Sequence, residues 1–117
     1  MEERLPAHLP AHLEAGALLR RTQAEGGFAM VLQKGERDAG TILVVLTENG
    51  ANTRLYERMP QSDGTRAWHC SKRQDPENPQ DFSNYLERRG QQDRDLWIIE
   101  LDIVNGERLI GVAPSGG

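Results

Sequence analysis

Five consecutive apolar residues, Ile42 to Leu46, stand inside the segment TILVVLT. Successive side chains of a strand point to opposite faces, so a strand that is apolar at every position must be covered on both sides. This segment therefore belongs at the centre of a sheet. It is also the longest apolar run in the chain, far short of the roughly 20 residues that cross a bilayer, so no membrane span is expected.

Turn chemistry divides the rest of the chain. Asn49-Gly50 carries the strongest short hairpin signal, and it predicts that TILVVLT pairs antiparallel with the following NTRLYERM. Upstream, ALLRRTQA and GFAMVLQK read as two strands joined by a hairpin at Glu25-Gly26-Gly27, and a proline-interrupted repeat, LPAHLPAH, allows a short helical turn near Pro10. Downstream, RAWHCS reads as a fifth strand and QDPENPQD as a linker. A helix then starts with Asn78 as N-cap, Pro79 in the first position and Asp81 near the positive end of the dipole, and it stops at Gly90. Its stripe of Phe82, Tyr85, Leu86 and Arg89 must dock on the sheet. DLWIIELD is the sixth strand, with Trp97, Ile99 and Leu101 on one face and Leu96, Ile98, Glu100 and Asp102 on the other. Asn105-Gly106 predicts a last hairpin, with ERLIGV returning as a short edge strand. The expected class is α+β: a mostly antiparallel sheet of about six strands, one helix from the C-terminal half packed on it, and a short N-terminal helical turn. At 117 residues one domain is expected over 1–117, with 1–9 and 112–117 as flexible ends.

Candidate chemistry is sparse. Glu100 and Asp102, same-face neighbours about 7 Å apart, are the nearest thing to a catalytic pair, but their ordinary role is ion pairing with arginines such as Arg20, Arg21 or Arg54. His69 and Cys70 are adjacent and so point to opposite faces of a strand, which denies the thiol its base and favours a buried structural cysteine. His8 and His12 are separated by Pro10, so their spacing need not put them on one helix face, and no metal site or cofactor is expected. The segment from Gly35 to Thr41 has paired glycines but lacks the lysine of a phosphate loop, and a strand rather than a helix follows it. It remains a binding candidate through Lys34, Arg37 and Asp38, to which Arg54 is added, because loops on rigid scaffolds carry function. The terminal Gly116-Gly117 matches diglycine carriers in that dipeptide alone.

Charge and cysteine content restrict the setting. With 18 acidic and 14 basic residues the formal net charge is -4, and no basic patch offers a footprint for nucleic acid. One cysteine cannot form an intramolecular disulfide, and the first residues lack the basic and apolar regions of a secretory signal, so a cytoplasmic location is expected.

The order and spacing of GGFAMVLQKGERDAGTILVVL, RAW and DRDLWIIELD carry a family resemblance. The chain resembles an alphaproteobacterial family known as domain of unknown function 1491, from about His12 to Leu109. The matching features are Arg20-Arg21, the loop from Lys34-Gly35 to Ala39-Gly40, Trp68, Tyr85-Leu86 and Asp95-Leu96-Trp97. Arg94 stands where the family often has proline between two aspartates. The resemblance implies an intact bacterial cytoplasmic domain and transfers no activity or catalytic residue. The expected function is a non-enzymatic module that binds a protein partner or a second copy of itself through the last, edge strand. The alternative is a small-ligand protein or enzyme using Glu100 and Asp102 near a basic residue.

Overall fold

The structure, a computed structural model, describes residues 9–112. The proposed flexible ends (but for Leu9 and Val112), His8 and the terminal diglycine lie outside the described residues. The elements are α1 (Ala11–Ala24), β1 (Phe28–Gln33), β2 (Ile42–Glu48), β3 (Ala51–Pro60), β4 (Arg66–Arg73), α2 (Pro79–Gln92), β5 (Trp97–Asp102) and a 3-10 turn (Gly106–Ile110). The five strands form one sheet in the order β1-β5-β2-β3-β4. β2 is central, as its two-faced apolar pattern requires, and Ile42 to Leu46 are all buried. The expected α+β class is present, with five strands rather than about six and with two helices, α1 standing where a short turn is expected; the sheet is mixed, antiparallel at three of its four pairings, because β5 returns through α2 and enters between β1 and β2, parallel to β2.

Each face of the sheet has its own core. On one face Ile42, Val44, Leu46, Tyr56, Trp97, Ile99 and Leu101 meet Ala11, Ala15 and Leu18 of α1 and Leu109 and Ile110 of the 3-10 turn. On the other Leu43, Val45, Leu55, Leu96 and Ile98 meet Phe82 of α2, with Tyr85 and Leu86 alongside. The alternation read for DLWIIELD is therefore correct, and the stripe of α2 docks as expected. Each fully buried Leu or Ile contributes roughly 1.5–3 kcal/mol. Arg89 ties α2 to the sheet by two bonds to Glu57, 2.8 and 2.9 Å, and that pairing holds the Glu57 carboxyl below its usual range.

Three local readings are corrected. ALLRRTQA is not a strand but the last eight residues of α1, whose buried positions Ala11, Ala15, Leu18 and Thr22 repeat with helical spacing. Pro10 precedes the helix, where a missing N–H costs nothing, and the N–H groups of Ala11 and His12 bond instead to the carbonyls of Asp38 and Arg37, 3.0 and 2.8 Å away. Glu25-Gly26-Gly27 is thus a helix-to-strand turn, with Gly26 at φ +91. ERLIGV is not an edge strand: Asn105 takes the left-handed conformation and turns the chain into the 3-10 helix, which brings Glu107 back over the sheet. Gly90 does not end α2: the helix continues to Gln92, and the bare Cα of Gly90 leaves room for the Gln33 side chain. Asn78 and Pro79 occupy the expected start, although the Asn78 side chain makes no cap hydrogen bond.

Candidate functional site

The two edges of the sheet are built differently. β4, RAWHCSKR, carries Arg66, His69, Lys72 and Arg73, charges of the kind that discourage another strand from pairing there. β1, FAMVLQ, has no charged residue, and among the described residues no strand pairs with its outer side. Phe28 is 75%, Met30 56%, Leu32 44% and Val31 41% exposed. One guard is present: the register shift between Val31 and Gln33 is a bulge that ends the regular ladder near Leu32. FAMVLQ is a strand as its sequence predicts, but its place at an edge is not local information: the segment expected beside it, ALLRRTQA, is part of α1.

Glu100 and Asp102 lie immediately inside this edge. Met30 is the cross-strand partner of Glu100 and Phe28 that of Asp102, all on the α2 side of the sheet. α2 covers only the Leu43 to Ile98 part of that side, so the two carboxylates border an uncovered part. The arginine pairing expected of them does not form: neither pairs with a basic group among the described residues. Burial, and then the charge of Asp102, raise the Glu100 carboxyl above its usual range. Asp102 accepts a 2.8 Å bond from the backbone N–H of Asn49, holding the β2–β3 turn, and lines a cleft of about 360 Å³ with Glu25, Phe28, Glu48 and Val104. The only guanidinium in that cleft, Arg108, is bound to Glu25 at 2.6 Å.

Arg54 is on the opposite face and cannot serve Glu100 or Asp102. It is opposite Leu46 in the α1-side core, 2% exposed. Its Nε and Nη2 donate to the two oxygens of Glu107 at 2.8 and 2.6 Å, and Nη1 donates to the Asn52 carbonyl at 2.8 Å. The Tyr56 hydroxyl donates to the same carboxylate at 3.0 Å. This cluster is a satisfied buried ion pair, and among the described residues no buried side-chain polar atom lacks a partner. No strand at residues 107–112 would form this cluster, since Glu107 reaches Arg54 from the 3-10 turn. The Arg54 hydrogen bond holds the Glu107 carboxyl low, whereas burial and the bond to Glu107 push the Tyr56 phenol up to about 12. A phenol raised in the fold contributes stability that is complete below its ordinary pKa near 10 and is lost as pH rises towards 12. In a Tyr85→Phe variant, whose remaining tyrosine is Tyr56, ultraviolet absorbance is expected to show ionisation near pH 12 together with loss of stability. Ionisation near pH 10 in the folded chain would contradict the buried hydrogen bond.

The loop from Lys34 to Gly40 is a structural clamp. A Cβ on Gly35 would lie 2.6 Å from the Leu96 carbonyl carbon and 2.7 Å from the Trp97 nitrogen, so the loop rests backbone to backbone on the start of β5. Glu36 N–H donates to Asp95, the Trp97 indole donates to the Glu36 carbonyl at 2.7 Å, and the Glu36 carboxylate accepts from Asp38 and Ala39 N–H. Arg37 and Asp38 contribute their carbonyls to α1, while their side chains and Lys34 stay exposed. The structure does not gather Lys34, Arg37, Asp38 and Arg54 into one site. Cys70 packs against the α1-side core and His69 points to the other face, as strand alternation requires. Among the described residues no three His, Cys, Asp or Glu side chains converge as a metal set. No helix among them is long and apolar enough to cross a membrane.

Comparison with known proteins agrees with this architecture. No curated protein matches the chain. A crystal structure of a DUF1491 family protein from Caulobacter crescentus CB15 aligns with TM-score 0.76 at 31% identity, covering 88% of this chain and 95% of that one. A solution structure of a DUF1491 family protein from the same organism gives 0.72 at 31%, covering 88% and 93%. The solution structure of protein Atu0922 from A. tumefaciens gives 0.72 at 28%, covering 92% and 97%. The model of the family described as "Protein of unknown function (DUF1491)" matches residues 9–111, every element from α1 through the 3-10 turn, and the chain belongs to that family.

Proposed function

We propose that this chain is a non-enzymatic protein-binding module of the bacterial cytoplasm whose interface is the outer edge of β1. The observation that supports this reading is the contrast between a charged β4 edge and a β1 edge that leaves Phe28, Met30, Val31 and Leu32 exposed. An extended segment laid along β1 would satisfy its outward backbone groups and cover those side chains, the usual mode of strand addition. The last edge strand expected at residues 107–112 is a 3-10 turn instead, so β1 and not that segment offers the exposed edge. A lone free thiol on Cys70 accords with a reducing compartment.

The second reading, a small-ligand protein or enzyme centred on Glu100 and Asp102, has the raised Glu100 carboxyl in its favour. Against it, Arg54 is committed to Glu107 on the other face, and no histidine or cysteine among the residues lining the Asp102 cleft could share proton transfer. Affinity-tagged protein recovered from its host, with mass spectrometry of proteins and small molecules, separates the two. The binding-module reading expects a protein partner retained by the wild type and lost by Met30→Lys. A small molecule lost by Glu100→Gln with Asp102→Asn, and unaffected by Met30→Lys, would overturn it.

A further inference from the structure

We infer that the occupant of the β1 edge is a second copy of this chain, paired antiparallel about a two-fold axis at Met30. The inference rests on β1 being the interface and adds the identity of the partner. A two-fold axis perpendicular to a sheet carries each face onto itself, so directly opposite residues share a face and have even-summed positions. Centred on Met30, this register places Phe28 opposite Leu32 and Met30 opposite its own counterpart on the α2 side, with Ala29 opposite Val31 on the α1 side. Every pair is apolar. Moving the axis to Ala29 or Val31 would set these side chains against the Gly26-Gly27 turn or against Lys34.

Charge complementarity supports the same register. Lys34, exposed and in no ion pair among the described residues, follows the end of β1. The Met30 axis brings Lys34 of one copy beside Gly26 of the other, at the mouth of the cleft that Glu25, Glu48 and Asp102 line. Arg108 does not neutralise that cleft alone, since it is one cation among three carboxylates and is bound to Glu25 and to the Val104 and Asn105 carbonyls. Symmetry forms the contact twice. The Glu100 side chains of the two copies stand three strand spacings apart, roughly 14 Å, beyond a physiological screening length of about 8 Å. Because the bulge limits the ladder to Phe28–Leu32, the contact falls short of the roughly 800 Å² per partner of a standard interface, and dissociation constants of about 10 μM to 1 mM are expected.

Sedimentation velocity on the full chain from about 10 μM to about 1 mM tests this, with circular dichroism confirming that each variant is folded. The wild type is expected to pass from monomer to dimer, less readily at high salt. Met30→Lys, which sets like charges on the axis, is expected to stay monomeric, and Lys34→Glu to weaken the dimer roughly tenfold. Leu13→Lys, at an exposed site on α1, is expected to leave association unchanged. A wild type that is monomeric at about 1 mM, or a dimer untouched by Met30→Lys, would overturn the inference. If the wild type is monomeric but a host partner is lost on Met30→Lys, the second copy is wrong and the β1 interface survives. Met30→Lys without effect on either readout removes both.

Discussion

Glu107→Ala is expected to destabilise the chain by about 3–5 kcal/mol, the range found when one member of a buried ion pair is removed. Arg54 is 2% exposed and remains charged at any pH of interest, so it cannot escape by losing its proton. Without Glu107 its Nε keeps no partner, its Nη2 keeps only Glu48, 3.5 Å away, and the Tyr56 hydroxyl loses its acceptor. Typical stabilities of 5–15 kcal/mol leave little after such a loss. Replacing both members, Arg54→Met with Glu107→Leu, is expected to recover most of it, because an apolar pair of similar volume needs no compensating charge. Urea denaturation of the two single variants and the double variant measures the coupling. Single variants costing less than about 1 kcal/mol would show the pair to be solvated. The pH dependence has a definite sign. Since the fold depresses the Glu107 carboxyl, its contribution is present above the unfolded pKa near 4.3 and is lost as pH falls through the folded value. The double variant should lack that part of the acid lability.

Gly35→Ala is expected to cost about 3 kcal/mol, the upper part of the usual range for overpacking. The reason is what the new methyl group would meet: backbone atoms of Asp95, Leu96 and Trp97, not a side chain that could rotate away. Moving the loop outwards would strain the Glu36 to Asp95 and Trp97 to Thr41 backbone bonds, both under 3 Å. It would also withdraw the Arg37 and Asp38 carbonyls from the first turn of α1. Hydrogen exchange at Ala11 and His12 should therefore quicken in the variant relative to the rest of α1. Gly26→Ala is a useful contrast, since no atom lies near the added methyl and the cost comes only from φ +91, about 1–2 kcal/mol. Equal losses at the two glycines would refute the close backbone packing at Gly35.

Where local chemistry decides structure, the sequence was readable. Asn49-Gly50 specifies its hairpin because both residues take positive φ, at 54 and 81, and α2 follows from equally local patterns. Residues 17–24 were not readable as helix. The buried face of α1 is made of Ala11, Ala15, Leu18 and Thr22, small or weakly apolar residues that give little periodic signal, and the helix is held by packing on the sheet. Residues 107–110 give an ambiguous signal for a similar reason, since a 3-10 turn that buries Leu109 and Ile110 is locally as apolar as a short strand.

The functional residues divide in the same way. The alternation of DLWIIELD determined that Trp97, Ile99 and Leu101 enter one core while Glu100 and Asp102 share the opposite face. Sequence also determined that TILVVLT is central and that FAMVLQ carries no charge to blunt an edge. Only the tertiary structure decided that Glu107, not Glu100 or Asp102, receives Arg54, that the Lys34–Gly40 loop clamps α1 and β5, and that FAMVLQ lies at the edge. Those outcomes depend on contacts between segments far apart in the chain and on strand order, and no local propensity encodes which neighbour a strand or a charge will find.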